Sequence, residues 1–244
     1  MSTTLNGRGR LGNQIIRNLC MSIVAEKHDL KVDYENYDKI VSLGVKLHIG
    51  SKIFDNTIEL KDENFFDILN LDMGCLKSNL DAHFYFFQTD TIINFLYNYL
   101  NSKVIKSKIM INPYSERYDK NNDCFIHLRL DDAEQWNPGI EYYLKALSLI
   151  KFDKLYISSD SINHKFIDIL MNKYPKSEKV IKDEIGTIHF ASTCRYLVLS
   201  HGTFSSIIGY LGFFSKVYYK DYSNIKGWKW HGDTFNIPGW NAVD

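Results

Sequence analysis

A glycine-rich basic segment near the start of the chain has the residue types that bind phosphate. Residues 7–14 read GRGRLGNQ and lead into an apolar run at helical spacing. Glycines let the backbone approach an anion closely, and the N-terminus of a following helix offers unpaired N–H groups and a partial positive charge. We therefore predict a phosphate-binding loop that opens a helix.

The same loop also fits a second pattern. Gly7, Gly9 and Gly12 match the G-x-G-x-x-G of nicotinamide-dependent enzymes, and Asp33 or Glu35 stands about where a ribose-binding acid is expected. That pattern requires a hydrophobic strand before the loop, whereas the residues here are few and polar. An NAD-dependent oxidoreductase is therefore the alternative interpretation.

A second cluster lies at the end of an apolar run in the middle of the chain. His127 and Arg129 are two residues apart, so their side chains share one face of a strand. Arg129 can make a bidentate, charge-assisted contact with a diphosphate, and His127 can donate to a base or a ribose. A salt bridge from Arg129 to Asp131 or Asp132 is the structural alternative.

Asp160 ends the next predicted strand, just before a helix. One interpretation is an N-cap, which is a common position for aspartate. The other is that its carboxylate accepts from the N1 and N2 hydrogens of guanine, which would exclude adenine.

A turn of small and hydroxyl residues, 200–206, precedes a later helix. Thr203 and Ser205 could cap that helix. Alternatively, its N-terminus offers a second site for a pyrophosphate.

These residues need elements that hold them at one edge of a sheet. Strict alternation of strands and helices in the second half predicts a parallel sheet covered on both faces, which binds ligands beyond the carboxyl ends of its strands. The predicted strands are 124–128, 154–158, 179–182, 196–199 and 216–219, and the predicted helices are 139–150, 162–174, 188–194 and 204–214.

The first half has weaker patterns. Its predicted helices are 13–27 and 91–104, and its predicted strands are 30–34, 46–49 and 82–88. The polar segment 111–123 contains Pro113 and is the best linker. We therefore predict an α/β protein with two domains, residues 1–115 and 116–244.

Composition excludes several classes of partner. The chain has 29 basic and 29 acidic residues, so no broad charged footprint for nucleic acid is expected. No apolar run reaches the ~18 residues of a membrane span, and the first ten residues lack a signal core, which predicts a cytoplasmic protein. The four cysteines are scattered and expected to be buried free thiols, and neither they nor the histidines have metal-ligand spacing.

Taken in order, these segments resemble the GT-B fucosyltransferases that use GDP-fucose, namely the α-1,2 group and, more distantly, the α-1,6 and protein O-fucosyltransferases. Residues 9–14 resemble the family's G-x-x-G-N-Q loop, and 127–129 its H-x-R-R-x-D motif. Residues 156–160 resemble the strand that ends in the nucleotide-binding acid. Residues 200–206 resemble the N-S-T-F-S segment, and 82–88 an aromatic strand that ends in F-Q.

The resemblance implies a GT-B fold, with two Rossmann-like domains facing across a cleft and the N-terminal one reduced. It implies inverting transfer of fucose from GDP-fucose to a hydroxyl of a glycan acceptor, most similar to the α-1,2 type. No metal and no cofactor besides the donor substrate are expected.

The resemblance also assigns roles to residues. Arg129 would contact the β-phosphate, His127 and Asp160 the guanosine, and Asn13 the diphosphate and fucose. The full set of expected donor-binding residues is Gly12, Asn13, His127, Arg129, Asp160, Thr203, Phe204, Ser205 and Ser206.

A carboxylate near the second motif would take the acceptor proton. Asp132 fits the acid position of the motif, and Glu134 follows two residues later. Trp136 would stack on an acceptor sugar, and Gln14 would contact donor or acceptor. Among the other tryptophans, Trp228, Trp230 and Trp240, core packing or docking of the tail is the simpler interpretation.

One position departs from the family pattern. Leu130 stands where the motif has a second arginine, so a positive charge is missing or is supplied elsewhere, with Arg10 as the candidate. A non-catalytic module that binds nucleotide sugars or glycans is therefore a third interpretation.

Overall fold

The computed structural model describes residues 1–222 and 234–244. They divide into two compact units, the first built on residues 1–105 and the second on residues 106–222 and 235–244. The predicted linker, 111–123, lies within the second unit and contains a short 3-10 turn at Ser115–Arg117. Trp228 and Trp230 lie outside the described residues.

The first unit carries a parallel sheet of four short strands in the order β2-β1-β4-β3. The two central strands, β1 and β4, lead at their carboxyl ends into the glycine-rich loop and into residues 82–88. The elements are β1 (Ser2–Thr3), α1 (Leu11–His28), β2 (Val32–Asp33), α2 (Tyr37–Val41), β3 (Thr57–Glu59), α3 (Phe65–Asn70), β4 (Asn79–Asp81) and α4 (Asp90–Asn101). Helix α5 (Lys103–Ile109) contains the chain position, between Ile105 and Lys106, at which the second unit begins.

The long helix α1 confirms the prediction made from its apolar periodicity. Its apolar face is fully buried, with Ile16, Cys20 and Val24 at 0% exposure. The helix ends at Asp29, whose left-handed backbone (φ 56°) redirects the chain, and Lys27 with His28 places basic groups in the last turn.

Two predicted strands of the first unit are wrong. Residues 46–49 form no strand, although the N–H of Val32 donates to the carbonyl of Ile49 at 2.8 Å. Residues 82–88 follow β4 as turn and irregular chain, because Phe87 has a φ of 55° that no strand accommodates. The burial of Phe87 against Phe65, with ring centroids 6.0 Å apart, explains the aromatic pattern that suggested a strand.

The predicted helix 91–104 is divided at Ser102. Thr89 caps α4 by accepting from the N–H of Ile92 at 3.4 Å, and the extended backbone of Ser102 ends it (ψ 142°). Helix α5 then begins at Lys103.

The second unit confirms the predicted alternation of strands and helices. Its six parallel strands have the order β7-β6-β5-β8-β9-β10. This is the 3-2-1-4-5-6 order of doubly wound, Rossmann-like sheets. The elements are β5 (Cys124–Leu128), α6 (Ile140–Ser148), β6 (Leu155–Ser159), α7 (Lys165–Lys173), β7 (Glu178–Lys179), α8 (Glu184–Ala191), β8 (Tyr196–Val198), α9 (Thr203–Leu211), β9 (Lys216–Lys220) and β10 (Asn241–Val243).

The largest differences from the prediction in this unit concern helix α8 and strand β10. Helix α8 begins at Glu184, because the Asp183 carboxylate caps it by accepting from the N–H of Gly186 at 2.7 Å. Strand β10 was not predicted. It pairs with β9 over Asn241–Val243, beside Trp240, which packs against Tyr210 with ring centroids 5.7 Å apart.

The core of the second unit is centred on β5, in which every residue is buried. Cys124, Ile126 and Leu128 pack with α6 and α7 on one face. On the other face the ring centroid of Phe125 lies 6.4 Å from that of Phe190 of α8, as expected for a central strand covered on both faces. None of the helices in the described part of the chain combines the length and apolar character that a membrane span requires.

All four cysteines are free thiols, as expected. Cys20, Cys124 and Cys194 are buried, and burial raises the pKa of each. The prediction of burial is wrong for Cys75, which is exposed.

Candidate functional site

The strand order of the second unit places the candidate site. Strands β5 and β8 are adjacent, and the order of the sheet reverses between them. Such a point opens a crevice beyond the carboxyl ends of the strands. The segments that leave these two strands are 129–137 and 199–206, which contain most of the residues predicted to bind the donor.

His127 lies at the end of β5 and is 6% exposed. Its Nδ1 is 2.6 Å from Oγ of Ser205, in the first turn of α9. Burial is the main reason why the pKa of His127 falls to about 4; Asp160 opposes this effect, while His201 and Arg129 add to it. A neutral imidazole therefore connects β5 to α9.

Arg129 follows β5 and packs against the backbone of the turn after β8. Gly202 has a φ of +88°, and a Cβ at this position would lie 2.5 Å from Nη1 of Arg129. Nη2 lies 3.3 Å from both carboxylate oxygens of Asp132, so the expected salt bridge is present. Nε is buried and has no hydrogen-bond partner in the described part of the chain. The side chain as a whole is 23% exposed, so the guanidinium can meet an anion from solvent.

A buried polar network, which the sequence did not predict, fixes the backbone at Arg129. Oγ of Ser200 accepts from the N–H of Arg129 at 3.2 Å and from the hydroxyl of Tyr143 at 2.8 Å. The amide of Asn137 donates to the carbonyl of Arg129 at 3.0 Å. Such residues are not recognisable in the sequence, because tyrosine on α6 matches the pattern of an ordinary core position.

Asp160 does not cap α7, so that alternative is wrong; His164 is the N-cap and accepts from the N–H of Phe166. Oδ1 of Asp160 accepts instead from the backbone N–H groups of Leu130 at 2.7 Å and Asp131 at 3.2 Å. Across residues 1–222 and 234–244, the hydrogen bonds of this exposed carboxylate go to Oδ1. Oδ2 therefore remains for a ligand.

At the N-terminus of α9, the hydroxyls of Ser205 and Ser206 are not accessible to an anion, contrary to their predicted role. Ser205 and Ser206 are fully buried, and Oγ of Ser206 donates to the carbonyl of Thr203 at 2.9 Å. Gly202 is the N-cap, and no side chain caps the helix. Thr203 and Phe204 are partly exposed. The N–H groups at this end and the helix dipole favour a negative group.

His201 was not predicted as a site residue, although it stands in the turn after β8. Burial lowers its pKa to about 4, with a further contribution from Arg129, against the opposing effects of Asp160, Asp132 and a hydrogen bond to the backbone of Ala133. The ring therefore connects the turn after β8 with the segment after β5.

The carboxylates predicted to act as a base are both engaged with cationic or imidazole groups. Asp132 pairs with Arg129, and Oε1 of Glu134 lies 3.0 Å from Nε2 of His164. Their side chains are 43% and 55% exposed. Trp136 is 37% exposed, as a sugar-stacking residue would need to be.

The glycine-rich loop of the first unit folds over a buried arginine. Arg17 of α1 is 0% exposed; Nη2 donates to the carbonyl of Arg8 at 2.6 Å and Nε to that of Tyr85 at 3.0 Å. A Cβ on Gly7 would overlap Nη1 of Arg17. Burial lowers the pKa of Arg17, and Glu35 opposes this effect. Gly7 is therefore needed for packing against Arg17.

The side chains predicted to contact the ligand from this loop also hold it in place. Gln14 donates to the carbonyl of Gly9 at 3.2 Å, and Oδ1 of Asn13 accepts from the amide of Gln88 at 2.8 Å. Gly12 is buried at the start of α1, and Arg10 is exposed. Gly9 has a φ of +94°, and a Cβ there would overlap the amide of Asn13.

The nicotinamide alternative named two acids as candidates for the ribose-binding position, and the structure places them differently. Oε2 of Glu35 accepts from the N–H of Gly7 at 3.1 Å. This carboxylate is therefore bonded to the loop itself. Asp33 ends β2 and is exposed.

In the second unit the structure thus brings together His127, Arg129, Asp132, Asp160 and the start of α9. In the first unit it brings together Gly12, Asn13 and Gln14 at the start of α1. Within the described residues, no group of three or more His, Cys, Asp and Glu side chains could hold a metal ion.

The fold and the site define an α/β protein with a Rossmann-like second unit and a polar, cation-containing site beyond its central strands. Comparison of the chain with models of known protein families finds no match, and comparison with curated proteins finds none either.

Proposed function

We propose that the second unit binds a GDP-sugar and that the protein is an inverting glycosyltransferase of GT-B type, which transfers fucose from GDP-fucose to a hydroxyl of a glycan, most similar to α-1,2 transfer. The observation that carries the proposal is the convergence of Arg129, Asp160 and the start of α9 where the order of the sheet reverses. Fucose as the sugar rests on the resemblance of residues 9–14, 127–129, 156–160 and 200–206 to the motifs of the fucosyltransferases.

The charges of this site suit a departing nucleoside diphosphate. In an inverting displacement, the bond between C1 and the β-phosphate oxygen breaks while the acceptor oxygen bonds to C1 from the opposite face. Negative charge then grows on the β-phosphate. Arg129 and the N–H groups of α9 would stabilise it, and the loss of one such donor typically costs about 10² to 10³ in rate.

Base selection would come from Asp160. Its Oδ2 can accept from the N1 and N2 hydrogens of guanine, while adenine offers no matching donor pair. Since Oδ1 binds the N–H groups of Leu130 and Asp131, the carboxylate is held in one orientation. A fixed acceptor is the arrangement expected for discrimination between bases.

Binding is tested first by thermal shift with GDP, ADP and UDP, on the full chain. We expect a clear rise in Tm with GDP and much smaller rises with the other two. Arg129→Ala should remove most of the GDP effect, whereas Arg195→Ala should retain it, because Arg195 pairs with Asp119 in another part of the unit. Equal shifts for all three nucleotides would contradict the guanine assignment.

Turnover is tested next. A panel of nucleotide sugars is incubated with the protein in EDTA, nucleotide release is measured, and the active donor is then combined with a panel of glycan acceptors. We expect release from GDP-fucose that EDTA does not abolish. A protein that binds GDP but turns over no donor with any acceptor would be a binding module instead. Binding of NADH at micromolar concentration without GDP binding would favour the oxidoreductase alternative.

A further inference from the structure

Ser205 lies in the first turn of α9, out of contact with solvent. The residue is 0% exposed, and among the described residues its hydroxyl has a single hydrogen-bond partner, which is Nδ1 of His127 at 2.6 Å. The family resemblance assigned this hydroxyl to the donor phosphates, which it does not reach from a buried position. Ser205 therefore acts on a ligand through the imidazole that it contacts.

The hydrogen bond between Ser205 and His127 has a preferred direction. If Nδ1 carried the proton and donated to Oγ, the hydroxyl hydrogen would be buried with no acceptor in the described part of the chain. A buried donor without a partner costs more free energy than an average hydrogen bond contributes. If Oγ donates to Nδ1, both the hydroxyl hydrogen and the ring nitrogen are satisfied. The hydroxyl is therefore the donor.

This direction determines which ring nitrogen carries the proton. The imidazole of His127 is neutral near pH 7, because burial lowers its pKa to about 4. A neutral ring has one N–H group, and the hydrogen bond made by one nitrogen decides whether the other carries the proton. Since Nδ1 accepts from Ser205, the proton lies on Nε2.

Nε2 of His127 faces the crevice beyond β5. It has no hydrogen-bond partner in residues 1–222 and 234–244, and it is not enclosed as Nε of Arg129 is. The charges of Asp160 and Arg129 both act on this ring, so the three side chains are close together. A ligand that binds Arg129 and Asp160 therefore lies within reach of the Nε2–H group.

The plane of the same imidazole is also held by α9. The ring centroid of Phe204 lies 5.2 Å from that of His127, at an angle of 52° between the planes. Phe204 and Ser205 are neighbours in the chain, so one turn of helix contacts both the face of the imidazole and its Nδ1. The Nε2 edge is the part of the ring that remains for a ligand.

We propose that Ser205 is a positioning residue, whose hydroxyl fixes His127 as the Nε2–H tautomer, so that the ring donates a hydrogen bond to an acceptor atom of the bound nucleotide. This inference rests on the proposed function, and it lies wholly within the second unit. It makes His127 a donor without adding charge to the site. A ligand with a donor group at the same place is rejected, because two donors would face each other.

The tautomer is measured on the full chain by nitrogen-15 NMR of the imidazole side chains at pH 7.5, without a ligand. His127→Phe identifies the signals of the ring by their loss. We expect the proton of His127 on Nε2 and none on Nδ1. A proton on Nδ1 would overturn the inference, whether or not the protein binds GDP.

The contribution of Ser205 to binding is measured by isothermal titration with GDP. Ser205→Ala should weaken GDP binding about 3- to 10-fold, which is the effect of one hydrogen bond. Ser192→Ala is the control, because Ser192 is 3% exposed and donates to the carbonyl of His189 at 3.1 Å, so it removes another buried hydroxyl of the same unit. The control should bind GDP as the wild type does.

A double-mutant cycle separates positioning of the ring from a structural effect on α9. If Ser205 acts through the imidazole, the double variant of Ser205→Ala and His127→Phe should bind GDP no more weakly than His127→Phe alone. Losses that add fully in the double variant would overturn the inference, because Ser205 would then act independently of the ring.

Titrations with guanosine, GMP and GDP locate the acceptor atom. A loss in Ser205→Ala that is equal for all three places the acceptor on the base or the ribose. A loss confined to the two phosphate-containing ligands places it on a phosphate. Both results support the donor role of His127, and the absence of a loss with any of the three contradicts it.

The outcomes distinguish this inference from the proposed function. If the wild type binds GDP and Ser205→Ala binds it equally well, the positioning role is overturned and the proposed function stands. If the wild type does not bind GDP, the proposed function fails and the nucleotide contact of His127 fails with it. The NMR measurement still decides whether Ser205 fixes the tautomer.

Discussion

The carboxylate of Asp160 accepts from the backbone N–H of Leu130 at 2.7 Å, across the carboxyl ends of two adjacent strands. The residue therefore supports the segment after β5 with one oxygen and offers the other to solvent. A substitution at Asp160 can separate these two roles, because an amide retains one acceptor oxygen.

We expect Asp160→Asn to fold and to lose its preference for GDP. Its amide oxygen can still accept from the N–H of Leu130, while its NH₂ group would face the N1 and N2 hydrogens of guanine, donor against donor. Thermal shifts should become similar for GDP and ADP, with little change in the Tm of the free protein. A retained GDP preference would show that the base is selected elsewhere.

Lysine at position 129 should not restore the role of the arginine in binding phosphate. Lysine offers a point charge without the planar fork, so it cannot bind phosphate oxygens bidentately. We expect kcat to fall about 10² to 10³-fold, as for loss of one charge-stabilising donor. Steady-state kinetics with GDP-fucose measure this, and a variant within threefold of wild type would contradict a role of the guanidinium in leaving-group stabilisation.

Gly202→Ala should weaken GDP binding through Arg129. Gly202 has φ 88° and ψ 157°, a conformation almost restricted to glycine, and a Cβ would lie 2.5 Å from Nη1 of Arg129. Gly139→Ala is a matched control, because Gly139 has φ 85° and ψ 159° but no atom within 4 Å of its added Cβ.

Both substitutions place a Cβ on a backbone conformation that costs about 1 to 3 kcal/mol. This strain should lower Tm by a similar amount in the two variants. The expected difference is that only Gly202→Ala loses affinity for GDP. Isothermal titration measures it, and equal affinities in the two variants would show that the guanidinium can move without consequence.

Acid should destabilise the second unit as two buried histidines become protonated on unfolding. Burial lowers the pKa of His127 and of His201 from 6.5 to about 4. Between these values the unfolded chain binds protons that the folded chain does not, so the free energy of unfolding falls as pH falls from about 6.5 towards 4. The full effect is on the order of 3 kcal/mol for each ring.

Urea unfolding at pH 7.5, 6 and 5 measures this dependence. His127→Gln and His201→Gln should each show a smaller loss of stability between pH 7.5 and 5 than the wild type does. Unchanged slopes in both variants would mean that other groups cause the acid sensitivity.

The strands of the second unit were easier to predict from the sequence than those of the first, for a physical reason. Strand β5 is buried along its whole length, so it appears in the sequence as a continuous apolar run between polar segments. Strands β1, β3 and β4 have two or three residues each, too few to show alternation. Residues 82–88 were assigned to a strand because of their aromatic content, and the backbone of Phe87 excludes that conformation.

The same contrast holds for the candidate sites. Arg129 and Asp160 were predicted because each follows a recognisable strand, and the strand end is where ligands bind. Ser200 and Tyr143 were not, because their contact depends on how α6 packs against the turn after β8.

The buried guanidinium of Arg17 has a consequence for motion. It holds the carbonyls of Arg8 and Tyr85, which belong to the segments after the two central strands of the first unit. If either segment moves away, the buried guanidinium loses one of its hydrogen-bond acceptors, which costs free energy. We therefore expect the two segments to open and close as one body, visible as matched hydrogen-exchange rates around Arg8 and Tyr85 that separate in Arg17→Met.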